Sequence, residues 1–554
     1  MKNIKIFILL IIGFYTIKCT DKMNDLPLDR NSIDVFYTDS VYIRQFVNNI
    51  YTYLPGGYNR LSGSMLACAT DEAVQCSNSS SANNIAKGIW NAVSNPDDTW
   101  NKNYIGIRSS NIYLLKILPN IAEKTFRSQA TLKALTGQVI FLRAMFNFEL
   151  VKRYGSVPVV TTIFEANSET SIPRNTYDEC IDFIVSQCDT AASLLPAAYA
   201  TSDLGRITKG AALALKARAL LYAASPLFND PAQPDNTYFH GSYSAAKWMK
   251  AASAANDVIA LKIYSLYANY GNFFITLAGN NEIILSVMAT ASNTLEMTNG
   301  PSGYTGSMGG TGPSLNLVDA YEMVNGTKFD WNNPAMALNP FAGRDPRFAA
   351  SILYNGLVWM NDTIDTYAGG NDLGSATSTK TSFYLRKFLS PNAKWYGVTG
   401  TAYHCWPIFR YGEVLLNYAE SMNEAYGPES DNGYGKTAKG AIEEVRKRAG
   451  LIPFALKSGL TKDEMRDIIR HERQIELVFE EHRHLDVRRW KIAENTLGVP
   501  VYGLKITKNA NKSFSYEKIK VEDRVFNAKM YLYPIPQTEI DRNPALQTQQ
   551  NPGW

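Results

Sequence analysis

Residues 461–491 gather most of the side chains in this chain whose types and spacing could support catalysis or metal binding. Glu472 and Glu476 lie one helical turn apart, and glycoside hydrolases hold two carboxylates about 5–10 Å apart around the bond that they cleave. A His-x-His pair with a nearby carboxylate could instead chelate a metal ion, and the candidate ligands are His482, His484 and Asp486. The stretch therefore admits a hydrolytic site, a metal site or a buried network of ion pairs.

The residue pattern predicts an amphipathic helix that begins at Thr461, because Thr461 and Glu464 have the spacing of a capping box. Apolar side chains then recur on one helical face, at Met465, Ile468, Ile469, Ile475 and Phe479. Glu472, Glu476 and Arg483 fall on that same face, where an unpaired charge would cost roughly several kcal/mol. We therefore favour a structural ion network of Glu472, Glu476 and Arg483 over paired catalytic carboxylates.

Metal binding by the histidines is disfavoured by the positive charge around them. Arg483, Arg488 and Arg489 lie among the candidate ligands and would repel a cation, and the HEXXH order of zinc proteases is absent from the stretch. No GxSxG signature of a serine hydrolase accompanies the histidines. The sequence predicts no catalytic residue, no metal site and no cofactor.

Composition indicates a large folded protein without the charge of a nucleic-acid binder. The 554 residues are 45% hydrophobic, which supports an extensive core. Lys and Arg total 55 against 51 Asp and Glu, so no basic footprint for nucleic acid is present. Aromatic residues make up 12% of the chain, and rings with an apolar face and a polar tip suit wet binding surfaces.

The N-terminus predicts export and a lipid anchor. Two lysines precede an apolar run at residues 6–17, which suits a signal peptide and is too short to span a bilayer. Cys19 follows at once and resembles the lipidation site of bacterial lipoproteins, although Lys18 replaces the usual small residue. We predict a signal peptide at residues 1–18, acylation of Cys19 and a polar tether at residues 19–36.

The remaining cysteines give no clear disulfide. They are Cys68, Cys76, Cys180, Cys188 and Cys405. Disulfides are permitted outside the cytoplasm, but an odd count leaves at least one free thiol. Two of the spacings equal eight residues, which is not a zinc-ligand pattern. The sequence does not predict a bridge.

Helical periodicity dominates both ends of the chain, and a loop-rich region separates them. Helices are predicted at residues 39–53, 101–118, 128–154, 176–195, 208–225, 244–261, 411–426 and 435–449. The alanine-rich pair at 208–225 and 244–261 looks like tetratricopeptide-type packing of antiparallel helices. Residues 37–270 are predicted as a helical N-terminal part and residues 271–554 as a C-terminal part, loop-rich and then helical, that packs back on the first.

Six distinctive runs follow one another along the chain. They are LRAMFNFELVKRYGSVPVV at 142–160, RITKGAALALKARALLYAASPLF at 206–228, GRDPRF at 343–348, RYGEVLLNYAESMNEA at 410–425, ERQIELVFEEHRHLDVRRW at 472–490 and YPIPQTEIDRNP at 533–544. Taken in this order, they resemble the SusD/RagB family of outer-membrane nutrient-uptake lipoproteins. Glu481 departs from the glycine that the family usually has at this position.

The resemblance implies a mostly α, SusD-like fold, in which tetratricopeptide-like helix pairs form a scaffold and a loop-rich region with short strands carries the ligand surface. It implies a protein on the outside of the outer membrane that binds a glycan without catalysis and serves a TonB-dependent, SusC-like transporter barrel. The tetratricopeptide-like helices are expected to contact that partner. An adhesin or scaffold without a small ligand, and a glycan hydrolase, remain the alternatives.

Aromatic residues in loops are the candidates for sugar contacts, because sugar rings offer apolar C–H faces to aromatic platforms. The candidates are Trp90, Tyr304, Trp331, Trp359 and Trp395, with Asn91 and Arg60 as polar partners. For each of them the competing interpretation is an aromatic side chain that simply fills a loop. Trp100, Tyr104 and Trp490 lie in or beside helical runs and are assigned to the core.

Overall fold

The computed structural model describes residues 33–77, 81–164, 171–375, 378–393 and 400–554. Cys19 and Trp395, for which the sequence makes predictions, lie outside the described residues. The same is true of the predicted signal peptide and of most of the predicted tether. A short helix, Ile33–Thr38, already begins within the last residues assigned to that tether.

Helices dominate the fold. The longer ones are α1 (Ser40–Tyr51), α2 (Trp100–Ile112), α3 (Gln129–Tyr154), α4 (Tyr177–Leu194), α5 (Lys209–Ala224), α6 (Ala246–Ile259), α7 (Tyr411–Tyr426), α8 (Ala438–Ala449), α9 (Lys462–Glu476) and α10 (His482–Arg489). Short helices occur at Ser81–Ala86, Tyr270–Phe273, Thr294–Asn299, Leu315–Ala320, Pro334–Leu338, Pro346–Ser351 and Gln537–Arg542.

The longer helices form one array in which most neighbours in sequence are neighbours in space. Helix α2 packs on α3, α3 on α4, α4 on α5 and α5 on α6. Helix α6 then packs on α7, although the whole loop-rich region separates them in sequence, and α7 packs on α8 and α9. The loop-rich region is therefore an insertion between adjacent members of one helical scaffold.

Strands are short and pair only in twos. They are β1 (Ala73–Gln75), β2 (Ile283–Met288), β3 (Thr311–Pro313), β4 (Ile352–Tyr354), β5 (Val358–Trp359), β6 (Asp362–Thr363), β7 (Phe383–Leu385), β8 (Cys405–Arg410), β9 (Val501–Lys508) and β10 (Phe514–Glu522). Within the described residues the antiparallel pairs are β1 with β3, β2 with β8, β4 with β7, β5 with β6 and β9 with β10. In the part of the chain that the structure describes, the strands build no extended sheet.

Local signals explain where several helices begin and end. Ser128 caps α3 by accepting from Ala130 N at 3.2 Å. The predicted capping box at Thr461 is present, since Glu464 N donates to Thr461 Oγ1 at 3.2 Å and Thr461 N donates to Glu464 Oε2 at 2.8 Å. Gly450 ends α8 with φ +89°, a left-handed conformation that glycine adopts without steric cost.

Helix α3 is the centre of the core. It is long and apolar enough to cross a membrane by length and composition, but 83% of its most apolar window is buried inside the protein. From Leu135 to Tyr154 its side chains are buried on nearly every face, because α2, α4 and α5 pack around it. A continuous hydrophobic core runs from this helix into the loop-rich region. The five described cysteines are buried and unpaired.

Candidate functional site

Two of the predicted ligand residues, Tyr304 and Trp359, come together in the structure. Trp359 ends β5, and its backbone oxygen accepts a hydrogen bond of 2.7 Å from the Tyr304 hydroxyl. Tyr304 is partly buried, and Trp359 is only 6% exposed, so the expectation of freely exposed rings is wrong for Trp359. Its burial follows from its place in a hairpin that packs on the core.

Trp359 lines a cleft of about 560 Å³ between the loop-rich region and the helical scaffold. The cleft walls come from the short helix at 270–273, the short helix at 346–351, the residues after β7 and the end of α8. The polar and aromatic side chains that line it are Asn269, Tyr270, Asn272, Arg347, Trp359, Arg386 and Arg448. This volume is large enough for a few sugar rings or another small ligand.

Arg386 covers one side of the Trp359 ring. Its guanidinium carbon lies 4.9 Å from the ring centroid, and its Nη1 donates to the backbone oxygen of Ala349 at 2.6 Å. The pairing of β4 with β7 fixes this position, because Arg386 directly follows β7 and its backbone N donates to Ser351 O. Arg386 was not among the residues predicted from the sequence, where no motif surrounds it.

Two residues that line the cleft carry a buried donor without a protein partner. Among the described residues, the indole Nε1–H of Trp359 and the Nε–H of Arg448 are buried without a hydrogen bond. An unsatisfied buried donor typically costs about 1–3 kcal/mol. Both atoms have almost no accessible surface and lie behind the cleft wall, whereas Arg386 is a partly exposed donor that a ligand in the cleft would meet.

The floor of the cleft is fixed by a buried ion network. Arg347 donates from Nη1 to Glu472 at 2.5 Å and to Glu476 at 2.9 Å, and from Nη2 to Asp345 at 2.7 Å. Arg448 bonds Glu282 at 2.9 Å and also contacts Glu476. Glu472 and Glu476 have no exposed surface.

The ionisation of Glu476 argues against acid catalysis. Burial alone raises the pKa of Glu476, but the guanidinium groups of Arg448, Arg410 and Arg347 outweigh burial and hold the pKa well below its ordinary value. A glycosidase general acid needs a raised pKa so that it carries a proton near neutral pH. Glu476 is instead a fixed anion that no substrate reaches.

The predicted role of Arg483 in this network is wrong. Helix α9 ends at Glu476, and Phe479 and Glu481 both have positive φ, near +62° and +65°. The chain therefore turns and starts α10, so Arg483 no longer shares a face with Glu476. Arg483 instead bonds the Asp71 carboxylate through Nε at 2.9 Å and Nη2 at 2.7 Å.

The histidines of this stretch are held in surroundings that do not favour metal binding or proton transfer. His484 Nε2 lies 2.7 Å from the hydroxyl of Tyr533. Burial lowers the pKa values of His482 and His484, and nearby arginines lower both further. No group of three His, Cys, Asp or Glu side chains in the described part of the chain could hold a metal ion.

Trp90 is not an exposed loop aromatic. It is 3% exposed, and its ring packs against Tyr533 and Trp554, with centroid distances of 5.0 and 4.6 Å. Asn91 is exposed, but its Oδ1 accepts from the backbone of Val93 at 2.9 Å and so holds a local turn. Neither residue lines the cleft at Trp359.

Arg60 and Trp331 are also engaged elsewhere. Arg60 bonds both oxygens of Glu481, at 2.5 and 2.9 Å, and pairs with Asp97. Trp331 donates from Nε1 to Asp319 at 2.9 Å and packs near Tyr516. The structure thus unites Tyr304 with Trp359 and separates both from Trp90, Arg60 and Trp331.

Comparison with known proteins agrees with this architecture. The model of the SusD family matches residues 281–554, and a model described as "Starch-binding associating with outer membrane" matches residues 27–221. SusD-like protein P25 of Formosa agariphila is 24% identical over 99% of this chain and 98% of its own length.

Solved structures give the same result. A SusD-like protein from Bacteroides fragilis is 28% identical, covers 96% of this chain and all of its own, and superposes with a TM-score of 0.78. A SusD-like carbohydrate-binding protein from the same species is 23% identical, covers 92% of this chain and all of its own, and has a TM-score of 0.75. The predicted mostly helical, SusD-like fold is confirmed. With both regions matched and the fold shared, the chain belongs to the SusD/RagB family.

Proposed function

We propose that this protein binds a glycan at the cell surface and delivers it to a TonB-dependent outer-membrane transporter. The observation that supports this most directly is the cleft at Trp359, whose wall carries the partly exposed guanidinium group of Arg386. Guanidinium groups donate hydrogen bonds that sugar hydroxyls accept. The carbohydrate-binding description of one solved relative supports the same ligand class.

The remaining parts of the proposal concern where the protein acts. The family description names association with the outer membrane, and acylation of Cys19 would hold the chain there without a spanning helix. The array α2–α6 is the surface that we assign to the transporter, in keeping with its packed helix pairs. Binding occurs without turnover, since Glu472 and Glu476 are buried in salt bridges.

The test is binding of the full chain, purified in detergent, to a panel of polysaccharides by affinity electrophoresis and calorimetry. Asn272→Trp places a bulky side chain at the cleft wall and should lower affinity for the best ligand by about tenfold or more. Asn332→Trp, at another exposed loop position, is the matched control and should bind normally. Equal affinities of both variants and the natural chain would place the ligand elsewhere.

Delivery and the absence of turnover need separate measurements. A large barrel protein should co-purify with the natural chain from solubilised outer membranes. If no barrel protein co-purifies, an adhesin or scaffold is the better-supported function. Release of shorter sugars from the bound polysaccharide by the purified chain would contradict binding without catalysis.

A further inference from the structure

We propose that the cleft at Trp359 binds an acidic group of its sugar ligand, a carboxylate or a sulfate ester, with Arg386 as its counter-ion. The inference rests on the proposed function and narrows its substrate class to anionic glycans. It follows from the charges and the hydrogen-bond donors of the cleft wall.

The wall of the cleft carries positive side chains without negative ones. Arg347, Arg386 and Arg448 line it, and none of the described residues that line it is Asp or Glu. The carboxylates behind the wall, such as Glu476, are buried and already bonded to Arg347 and Arg448. Asp362 pairs with Trp359 across the β5–β6 hairpin but does not line the cleft.

Of the three arginines on the cleft wall, Arg386 is the one that lacks a counter-ion. Arg347 and Arg448 pair with glutamates, whereas in the described parts of the chain Arg386 has no salt bridge, and its hydrogen bond to Ala349 goes to a neutral carbonyl. Arg386 is partly buried. Burial lowers the pKa of its guanidinium group, and the nearby Tyr354 hydroxyl acts in the opposite direction. A half-buried guanidinium without an anion is costly, and a bound anion would remove that cost.

The chemistry of Arg386 favours the same ligand. Its guanidinium group can donate hydrogen bonds but cannot accept them. A neutral sugar hydroxyl brings a hydrogen that also needs an acceptor, whereas carboxylate and sulfate oxygens only accept. Arg386 therefore matches an acidic substituent better than a hydroxyl group.

Another cleft of similar volume has a different charge pattern. It lies between α6 and α9, has a volume of about 580 Å³, and also contains arginines. Glu420, Glu424 and Asp230 line it beside these basic groups, and Arg466 is bonded to Glu424 at 2.6 and 2.7 Å. Among the described residues, the wall of the cleft at Trp359 differs from this one in having no carboxylate side chain.

The experiment measures affinity of the full chain in detergent for matched pairs of polysaccharides. One pair is polygalacturonate and its methyl ester, and the other is a sulfated galactan and its desulfated form. We expect an acidic member to bind about tenfold or more tightly than its neutral counterpart, because a charge-assisted hydrogen bond to Arg386 is stronger than one to a neutral hydroxyl. The pair that shows the preference identifies carboxylate or sulfate as the group.

Variants separate a built site from general attraction. Arg386→Gln should abolish the preference, and Arg386→Lys should retain part of it. Arg542→Gln, whose side chain is 79% exposed, is the control that should change nothing. Melting curves of each variant verify the fold, and Arg386→Lys keeps the test valid if Arg386→Gln does not fold.

Each outcome decides between the proposals. A preference that persists in Arg386→Gln, or that Arg542→Gln removes equally, overturns the assignment of Arg386. If acidic and neutral members bind equally and Asn272→Trp abolishes that binding, the proposal of an anionic ligand is overturned and the proposal of glycan binding stands. Binding to no acidic, neutral or panel polysaccharide overturns both.

Discussion

The Nη1 atom of Arg410 lies 2.7 Å from Oε1 of Glu476, in the interior of the protein and with neither side chain more than 2% exposed. Arg410 ends β8 in the loop-rich region, and Glu476 ends α9 in the helical scaffold. The same guanidinium bonds Glu282 at 2.8 Å and Glu480 at 2.7 Å. This contact therefore fastens the region that carries the cleft to the helices behind it.

We expect Arg410→Met to lower the free energy of unfolding by about 3–5 kcal/mol, because it leaves buried carboxylates without their partner. Urea denaturation of the purified chain measures the change. Lys505→Met is the matched control, since Lys505 pairs with Glu517 at 3.2 Å on the surface, with 59% and 66% of their side chains exposed. That variant should change stability by less than about 1 kcal/mol. If both variants lose the same free energy of unfolding, the buried ion pair stabilises the fold no more than the exposed one.

Glu72 predicts a pH dependence of stability. Burial, and then the neighbouring Asp71 carboxylate, raise the pKa of Glu72 from 4.5 to about 8 in the folded chain. Between these two pH values the unfolded chain has released the proton and the folded chain still holds it, so stability falls as pH rises. Glu72→Gln imitates the protonated form and should be more stable than the natural chain near pH 8 and similar to it near pH 4.5.

Melting temperatures measured from pH 4.5 to pH 8 test this expectation. Glu517→Gln, on the exposed β9–β10 hairpin, is the control and should follow the curve of the natural chain. A Glu72→Gln variant that loses stability relative to the natural chain at pH 8 would mean that Glu72 is an anion with a favourable partner.

Local sequence signals predicted the helices well because caps and periodicity act over a few residues. The capping boxes at Thr176 and Thr461 are both present, and the helix predicted at 411–426 has those bounds in the structure. The end of α9 at Glu476 could not be predicted in this way. The positive φ of Phe479 and Glu481 is held by tertiary contacts, such as the salt bridge from Arg60 to Glu481.

The candidate site was only partly predictable for the same reason. Tyr304 and Trp359 were identified by residue type, but their contact depends on how the loop-rich region folds. Trp90 has the same residue type, and it is buried because Tyr533 and Trp554 return from the far end of the chain. The pairing of β4 with β7 places Arg386 at the cleft, and no motif in the sequence around Arg386 predicts that pairing.

Glu481 allows a test of the turn between α9 and α10. Its φ of +65° is the left-handed conformation in which glycine pays no Cβ penalty, and this explains the glycine that the family usually has here. We expect Glu481→Gly to be more stable than Glu481→Ala by about 1 kcal/mol, because both lose the bond to Arg60 but only glycine removes the strain. Urea denaturation of the two variants side by side measures this. An alanine variant as stable as the glycine variant would show that the turn carries no strain.

We expect substitution of Trp90 to lower the stability of the fold without lowering its affinity for the ligand. Removing its buried ring from the cluster with Tyr533 and Trp554 should lower the free energy of unfolding by about 3–5 kcal/mol in Trp90→Ala. Calorimetric affinity of the folded fraction for the best polysaccharide should match that of the natural chain, since Trp90 does not line the cleft. If Trp90→Ala instead binds the ligand about tenfold more weakly and keeps the free energy of unfolding of the natural chain, Trp90 is a ligand-contact residue.

Cys19 is expected to be the acylated residue, because it directly follows the predicted signal peptide at residues 1–18. Cys19→Ala should abolish incorporation of labelled palmitate in cells and release the chain from the outer-membrane fraction, since no other anchor is predicted. Cys405→Ala is the matched control: Cys405 is buried, burial raises the pKa of its thiol to about 12, and a buried neutral thiol is a poor acceptor for an acyl group. Label that persists in Cys19→Ala, or that disappears in a folded Cys405→Ala, would place the lipid on another residue.

Lys18→Gly restores a small residue before Cys19 and should speed the appearance of the processed form in pulse labelling, because the lysine is the position where this chain departs from the usual lipidation pattern.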